Sequence, residues 1–266
     1  ARRAQGSEPL AAPKKQEPEQ SEALDLDPLS PITPGPVAPP RPPNPPAGGC
    51  RTNLELELDE LEDARDRQDR AALEKKIAEL AVTAARQPNQ AEAHYSLALA
   101  QSYLAEIALE LRDKTLAKNS AEAGIKSAER ATALRPDLSE YQRVLGTLCG
   151  QVIPANVLSG LRYGKCAQDA VAKAIKLDPK SSMAYVSRGV GNYYLPPALG
   201  GGPELAIKDF QRAIQLKPGN AEAYLWLGIA LRKLNRNAQA REAFNKSLEL
   251  NPRRVWVRRQ MEKTPA

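Results

Sequence analysis

Five prolines punctuate this chain at a shrinking interval, and that rhythm constrains the fold more than any other feature. Pro88, Pro136, Pro179, Pro218 and Pro252 each close an apolar, alanine-rich stretch, and they stand 48, 43, 39 and 34 residues apart. Typical strings are Thr132-Ala133-Leu134-Arg135-Pro136 and Ile214-Gln215-Leu216-Lys217-Pro218. Proline lacks a backbone N–H and pushes the preceding residue out of the helical region, so each one stops a helix and sets the angle into the next. Recurrence at this period marks stacked helix-turn-helix units. Hydrophobic residues make up 42% of the chain and aromatics only 5%, which suits helices packed through small side chains better than a β-sandwich.

Relative to the last spacing, the earlier units carry 14, 9 and 5 extra residues, which fall between the two helices of each unit. The first excess, Ala105 to Lys114, keeps a helical pattern and predicts unusually long helices. The second contains Gln151-Val152-Ile153-Pro154-Ala155. The third runs from Tyr193 to Glu204 and includes Gly200-Gly201-Gly202. Upstream, the pattern predicts an N-terminal helix or half-repeat over 51–90, beginning at Thr52 with acidic first turns.

Residues 1–50 read as a disordered, proline-rich arm. Between Pro28 and Pro46 there are ten prolines in nineteen residues, a composition that favours extended polyproline II without a core. The arm reads as a semi-rigid linker, with docking of its PxxP-like pieces (Pro36 to Pro39, Pro39 to Pro42) on a partner as the alternative. Cys50 follows Ala47-Gly48-Gly49, but a proline-rich rather than an apolar stretch precedes it, which argues against lipid attachment there.

The last unit resembles the tetratricopeptide repeat (TPR) family. Tyr224, Leu227, Gly228, Ala240, Phe244 and Pro252 stand where that family places its large aromatic, Leu-Gly pair, Ala, Phe and Pro, with departures at Leu231 and Ser247. The preceding unit supplies Tyr185, Gly189, Ala206, Phe210 and Ala213, and Leu145-Gly146 with Ala167 and Ala174 mark the one before it. The resemblance is to bacterial multi-repeat members, and the glycine-rich insert is similar to extracytoplasmic ones, including the TPR component of TRAP solute transporters. It implies an all-α, right-handed α-solenoid, with repeats at 91–138, 139–181, 182–220 and 221–254 and a capping helix and tail over 255–266.

Little in the chain points to catalysis. His94 is the sole histidine and falls at a helix-packing position. The carboxylates lie on helix exteriors and starts, where nothing apolar would tune their pKa for acid–base work. The Gly200–Gly202 loop has no Lys-Ser/Thr pair after it and no strand before it, so it fails as a phosphate cradle, while Pro203 and Glu204 suit an ordinary helix start. Cys50, Cys149 and Cys166 are too scattered for a metal site. Cys149 and Cys166 read as buried thiols, with a disulfide in an oxidising compartment left open. We therefore expect no enzyme, no cofactor and no metal.

The formal charge of +6 comes from 38 basic residues interspersed among 32 acidic ones, a solvated mixed surface. A nucleic-acid footprint would rest on Arg253, Arg254, Arg258 and Arg259, which equally describe a basic helix end. No apolar run is long enough to span a membrane.

In the TPR family the first helix of each repeat lines a concave groove. Transferred here, the resemblance implies a partner-binding groove of Tyr95, Tyr103, Arg143, Tyr193, Tyr194, Trp226 and Arg232. The Lys/Asn clamp by which some members grip a terminal carboxylate is absent, because its positions hold Tyr95 and Leu99, Arg143 and Thr147, Val186 and Val190, Leu225 and Ile229. The expected function is a non-enzymatic scaffold or adaptor that takes a partner peptide or helix. The alternatives are an extracytoplasmic ligand-binding component of a solute-uptake system, or a structural subunit or assembly factor of a membrane complex. An extracytoplasmic setting is favoured over a cytoplasmic one.

Overall fold

A computed structural model describes residues 52–155 and 157–265, so the expectations for the proline-rich arm lie outside the described residues. The described chain is helical, with no strand. Its helices are α1 (Asn53–Asp66), α2 (Arg70–Arg86), α3 (Ala91–Glu110), α4 (Lys114–Leu134), α5 (Ser139–Val152), α6 (Val157–Leu177), α7 (Ser182–Tyr194), α8 (Pro203–Leu216), α9 (Ala221–Lys233), α10 (Asn237–Leu250) and α11 (Val255–Glu262). Successive helices pair as α1/α2, α3/α4, α5/α6, α7/α8 and α9/α10. The first helix of each pair also packs on the first helix of the next, which makes the array an α-solenoid. Helix α11 packs on α10 at the end.

The run from Thr52 to Arg86 is a complete helix pair, divided at Gln68. There the backbone enters the left-handed region, with φ 56°, and the Asp69 amide donates to the Ala64 carbonyl at 2.8 Å. Asp69 then caps α2 by accepting from the Ala72 amide at 3.0 Å. The same device recurs at Arg112 (φ 65°) and Asn235 (φ 59°). At the former, the Asp113 amide donates to the Ala108 carbonyl at 2.8 Å, and Asp113 caps α4 through the Leu116 amide at 2.9 Å. This turn breaks the helical pattern that runs through Ala105 to Lys114, leaving helices of 20 and 21 residues on either side.

Small residues let the paired helices close. A Cβ on Gly189 would stand 2.5 Å from the Phe210 ring, and one on Gly228 would stand 2.6 Å from the Phe244 ring. Both phenylalanines are fully buried. Large buried apolar side chains gather mainly into an earlier and a later group. One links buried residues from Leu61 to Val152, with partly buried neighbours as far as Ala167. The other begins in α7 and runs to α11, through Phe210, Leu225, Phe244 and Val257. Between them in sequence, Ala170, Val171, Ala174 and Ala184 are also buried, and α7 packs on both α5 and α6.

Candidate partner-binding surface

The seven residues expected to line the groove fall into different environments. Tyr95 is buried on α3, stacked on Tyr141 of α5 with ring centroids 4.7 Å apart, and its hydroxyl donates to Glu140 Oε1 at 3.3 Å. Burial pushes the Tyr95 phenol well above its ordinary value, and Glu140 adds to the effect. Arg143 is also buried and holds Glu140 in a fork, Nε to Oε2 at 2.7 Å and Nη2 to Oε1 at 2.5 Å. The Arg143 guanidinium thus faces a carboxylate of its own chain, and its fork is already engaged. Tyr103 is buried beneath Arg65 of α1, whose guanidinium carbon lies 4.9 Å from the ring centroid. Arg232 binds the C-terminal helix, donating to the Gln260 carbonyl at 2.7 Å and to Gln260 Oε1 at 2.6 Å.

The remaining three come together. Tyr193 and Tyr194 end α7, and Trp226 stands on α9. The two tyrosines meet edge-to-face at 5.0 Å, and each meets Trp226 at 6.2 Å. Trp256 of α11 extends the set, 5.5 Å from Trp226, while Phe210 stacks beneath at 6.4 Å. Tyr194 remains 61% exposed, Leu199 of the following insert 68%, and Leu205 at the start of α8 39%. Rings with a buried base and an open upper face offer a large contact area at small cost in rotamer freedom.

The insert after Tyr194 is a folded support. Gly200 (φ 81°) and Gly202 (φ 113°) take left-handed conformations that few other residues adopt. Its amides are spent internally: Gly201 donates to the Pro196 carbonyl and Gly202 to the Asn192 carbonyl, at 3.2 and 2.8 Å. No amide of this pair is left for an anion. Buried Asp209 of α8 fixes the other side, accepting from Arg188 Nε at 3.0 Å and from Asn192 Nδ2 at 2.7 Å.

Cys149 of α5 and Cys166 of α6 are joined by a disulfide, with Cα atoms 6.0 Å apart. The reading of these residues as small apolar thiols is corrected accordingly. The pair straddles the second insert, which brings two helices into bridging distance that sequence spacing alone does not fix. His94 Nε2 lies 3.1 Å from the Pro88 carbonyl oxygen, which also accepts from the Arg130 side chain.

Two of the four arginines near the C-terminus, Arg253 and Arg254, face carboxylates of their own chain. Arg254 is 1% exposed and sits among carboxylates. Its guanidinium donates to Glu106 Oε1 at 2.6 Å and to Glu222 Oε1 at 3.1 Å, and also pairs with Glu110. Arg65 of α1 approaches Glu222 at 3.4 Å and Asp66 at 2.8 Å. Asn251 donates to Asp66 Oδ2 at 2.6 Å, and Arg253 to Asp63 Oδ1 at 2.5 Å. Gln68 donates to Glu110 Oε2 at 2.6 Å. Burial raises Glu106 to about 7, against the pull of Arg254 and Arg65, and it raises Glu110 in the same direction. Sequence reasoning gave no signal for this cluster, because its members lie up to 190 residues apart.

Comparison with known proteins bears on the last repeats and on the fold of the array. Residues 200–254 match the family model described as tetratricopeptide repeat. The helical array has the tetratricopeptide-repeat (TPR) fold. Among solved structures, this TPR array is similar to TTC0263, a TPR protein of Thermus thermophilus, with 18% identity and a TM-score of 0.56 over 78% of this chain and 97% of that one. Weaker likenesses have TM-scores below 0.5. They include MamA from Desulfovibrio magneticus RS-1 (18% identity, TM-score 0.40, 76% of this chain and 97% of that one). Another is YrrB, described as a TPR protein with an unusual peptide-binding site (16% identity, TM-score 0.37, 79% and 98%). At these identities the likeness speaks for the fold alone. Among the described residues, no helix is long and apolar enough to cross a membrane.

Proposed function

We propose that this TPR array is a protein-binding scaffold, which captures an extended peptide or a helix of a partner on the aromatic surface formed by Tyr193, Tyr194 and Trp226. The observation that carries this reading is the open face of Tyr194, held edge-to-face against two half-buried rings and flanked by exposed Leu199. Exposed apolar area of this kind, rigidly mounted, is what interaction sites present. Hydrophobic burial would supply the affinity, and the tyrosine hydroxyls and Trp226 N–H would orient the guest. Arg143 and Arg232, already held by Glu140 and Gln260, serve the scaffold itself.

The Cys149–Cys166 disulfide supports a setting outside the reducing cytosol, where such bonds persist. The test is affinity purification with the intact chain and with a variant carrying Tyr193, Tyr194 and Trp226 all replaced by Ala. Proteins captured by the wild type should be lost from the variant while its helical circular dichroism stays unchanged. Equal capture by a folded triple variant would remove the site from this surface.

A further inference from the structure

A solenoid ordinarily keeps its two ends apart, because each repeat touches only its neighbours. Here the ends meet. Arg254, which closes the last repeat, reaches Glu106 and Glu110 of the second helix pair, 148 and 144 residues away. Asn251 and Arg253 reach Asp66 and Asp63 of the first pair, 185 and 190 residues away. Arg65 reaches back to Glu222 at the start of α9. Every one of these contacts is polar.

The apolar cores show the same division from the other side. The core that starts at Leu61 ends within α6, and the core of the later repeats starts at α7. The α6–α7 junction is a turn at Asp178–Ser181, lined by small alanines and by the Thr147 and Ser187 hydroxyls, 3.1 Å apart. At this junction α7 packs on both α5 and α6 through small side chains and few large apolar ones, while the far ends of the array are joined by the ionic seam.

We propose that this seam is a latch and the α6–α7 junction its hinge, so that the array opens and closes as two jaws. In the closed form Arg254 is withdrawn from water and shared among Glu106, Glu110 and Glu222, with its guanidinium carbon 5.7 Å from the Trp256 ring centroid. Breaking the seam separates polar groups that water can solvate, and it costs neither jaw its core. Opening uncovers the acidic residues of the first jaw, Asp66, Glu106 and Glu110, opposite the Trp226–Trp256 end of the second. This deepens the scaffold reading, on which it rests for its purpose: the latch governs when the inner face can receive a guest. Its mechanics stand independently of any guest.

The experiment is a distance measurement across the seam in the full chain. Spin labels are placed at exposed Arg67 and Arg259 in a background with Cys50→Ser, and the pair is read by pulsed electron resonance. The wild type should give one short, narrow distance. Arg254→Met, which keeps length but removes the shared charge, should add a longer and broader population with helical content unchanged. Arg254→Lys, which keeps a cation, should remain mostly closed. Hydrogen exchange provides a second reading, with Arg254→Met raising exchange at the seam residues of α1 and α9 while α5 and α8 keep their protection. An unchanged narrow distance in folded Arg254→Met, or loss of protection throughout both jaws at once, would overturn the latch. Neither outcome bears on capture by the Tyr194 surface, which the triple alanine variant tests separately.

Discussion

At the scale of single residues, the array is closed by atoms that are absent. Gly228 faces the Phe244 ring so directly that a methyl group there would lie 2.6 Å from Cε1 and 2.9 Å from Cζ. Phe244 is fully buried and has nowhere to retreat. Gly228→Ala gains helix propensity of up to about 1 kcal/mol but overpacks the pair by about 1–3 kcal/mol, so a net loss is expected. Gly164 of α6 is the control, since an added Cβ there meets nothing within 4 Å. Gly164→Ala should raise stability by about 0.5–1 kcal/mol through propensity alone. Urea unfolding of both variants checks the contrast. The idea fails if the two shifts share a sign. The Gly–Phe pairs were legible in the sequence because Phe210 and Phe244 each stand eight residues before a closing proline, with a glycine in the helix before. The burial of Arg254 was not. An arginine among Arg253, Arg258 and Arg259 reads as surface charge, and only the return of the chain's far end supplies the carboxylates that make it interior.

The elements show the same boundary between what a pattern reveals and what it hides. Helix ends marked by proline were readable, as were the long helices α3 and α4, whose pattern reports which face is buried. The break inside that pattern was hidden, since Leu111-Arg112-Asp113 contains no glycine and gives no turn signal. Arg112 nevertheless takes φ 65°, and the Asp113 cap secures the next helix. Gln68 and Asn235 solve the same problem with different side chains, so the turn is a backbone device with little sequence signature. The disulfide is a second hidden element, because α5 and α6 could be placed in order but not in distance. It closes a separation of 17 residues, and a loop of that size restricts the unfolded chain by about 3 kcal/mol. Cys166→Ala should therefore lower the unfolding free energy by about 2–4 kcal/mol. Thermal melts with and without reductant provide the check, since the wild type should shift downward on reduction and the variant should not.

For the whole molecule, the closed seam ought to respond to pH, with a sign that follows from its chemistry. Glu106 of α3 faces Arg254 beyond α10, Arg65 of α1, Glu222 of α9 and its own neighbour Glu110. The cluster of Asp66, Glu106, Glu110 and Glu222 around Arg65 and Arg254 holds more carboxylates than guanidiniums. Burial raises Glu106 from its ordinary 4.5 to about 7, and the two arginines only partly oppose it. Glu110 and Glu62, raised chiefly by burial as well, act in the same direction. A carboxylate raised in the closed form binds a proton more tightly there than in the opened or unfolded chain. The closed form is accordingly favoured below about 4.5, and that advantage declines as pH rises through about 7. Distances across the seam should be short and narrow at pH 5.5 and should gain a longer population at pH 8. Glu106→Gln imitates the protonated carboxyl at every pH, so this variant should stay closed at pH 8 and lose most of the dependence. A seam that tightened on going to pH 8, or a Glu106→Gln variant as pH-sensitive as the wild type, would show that the excess carboxylates carry their charge without strain. The opening of the jaws would then have to be driven by the guest alone.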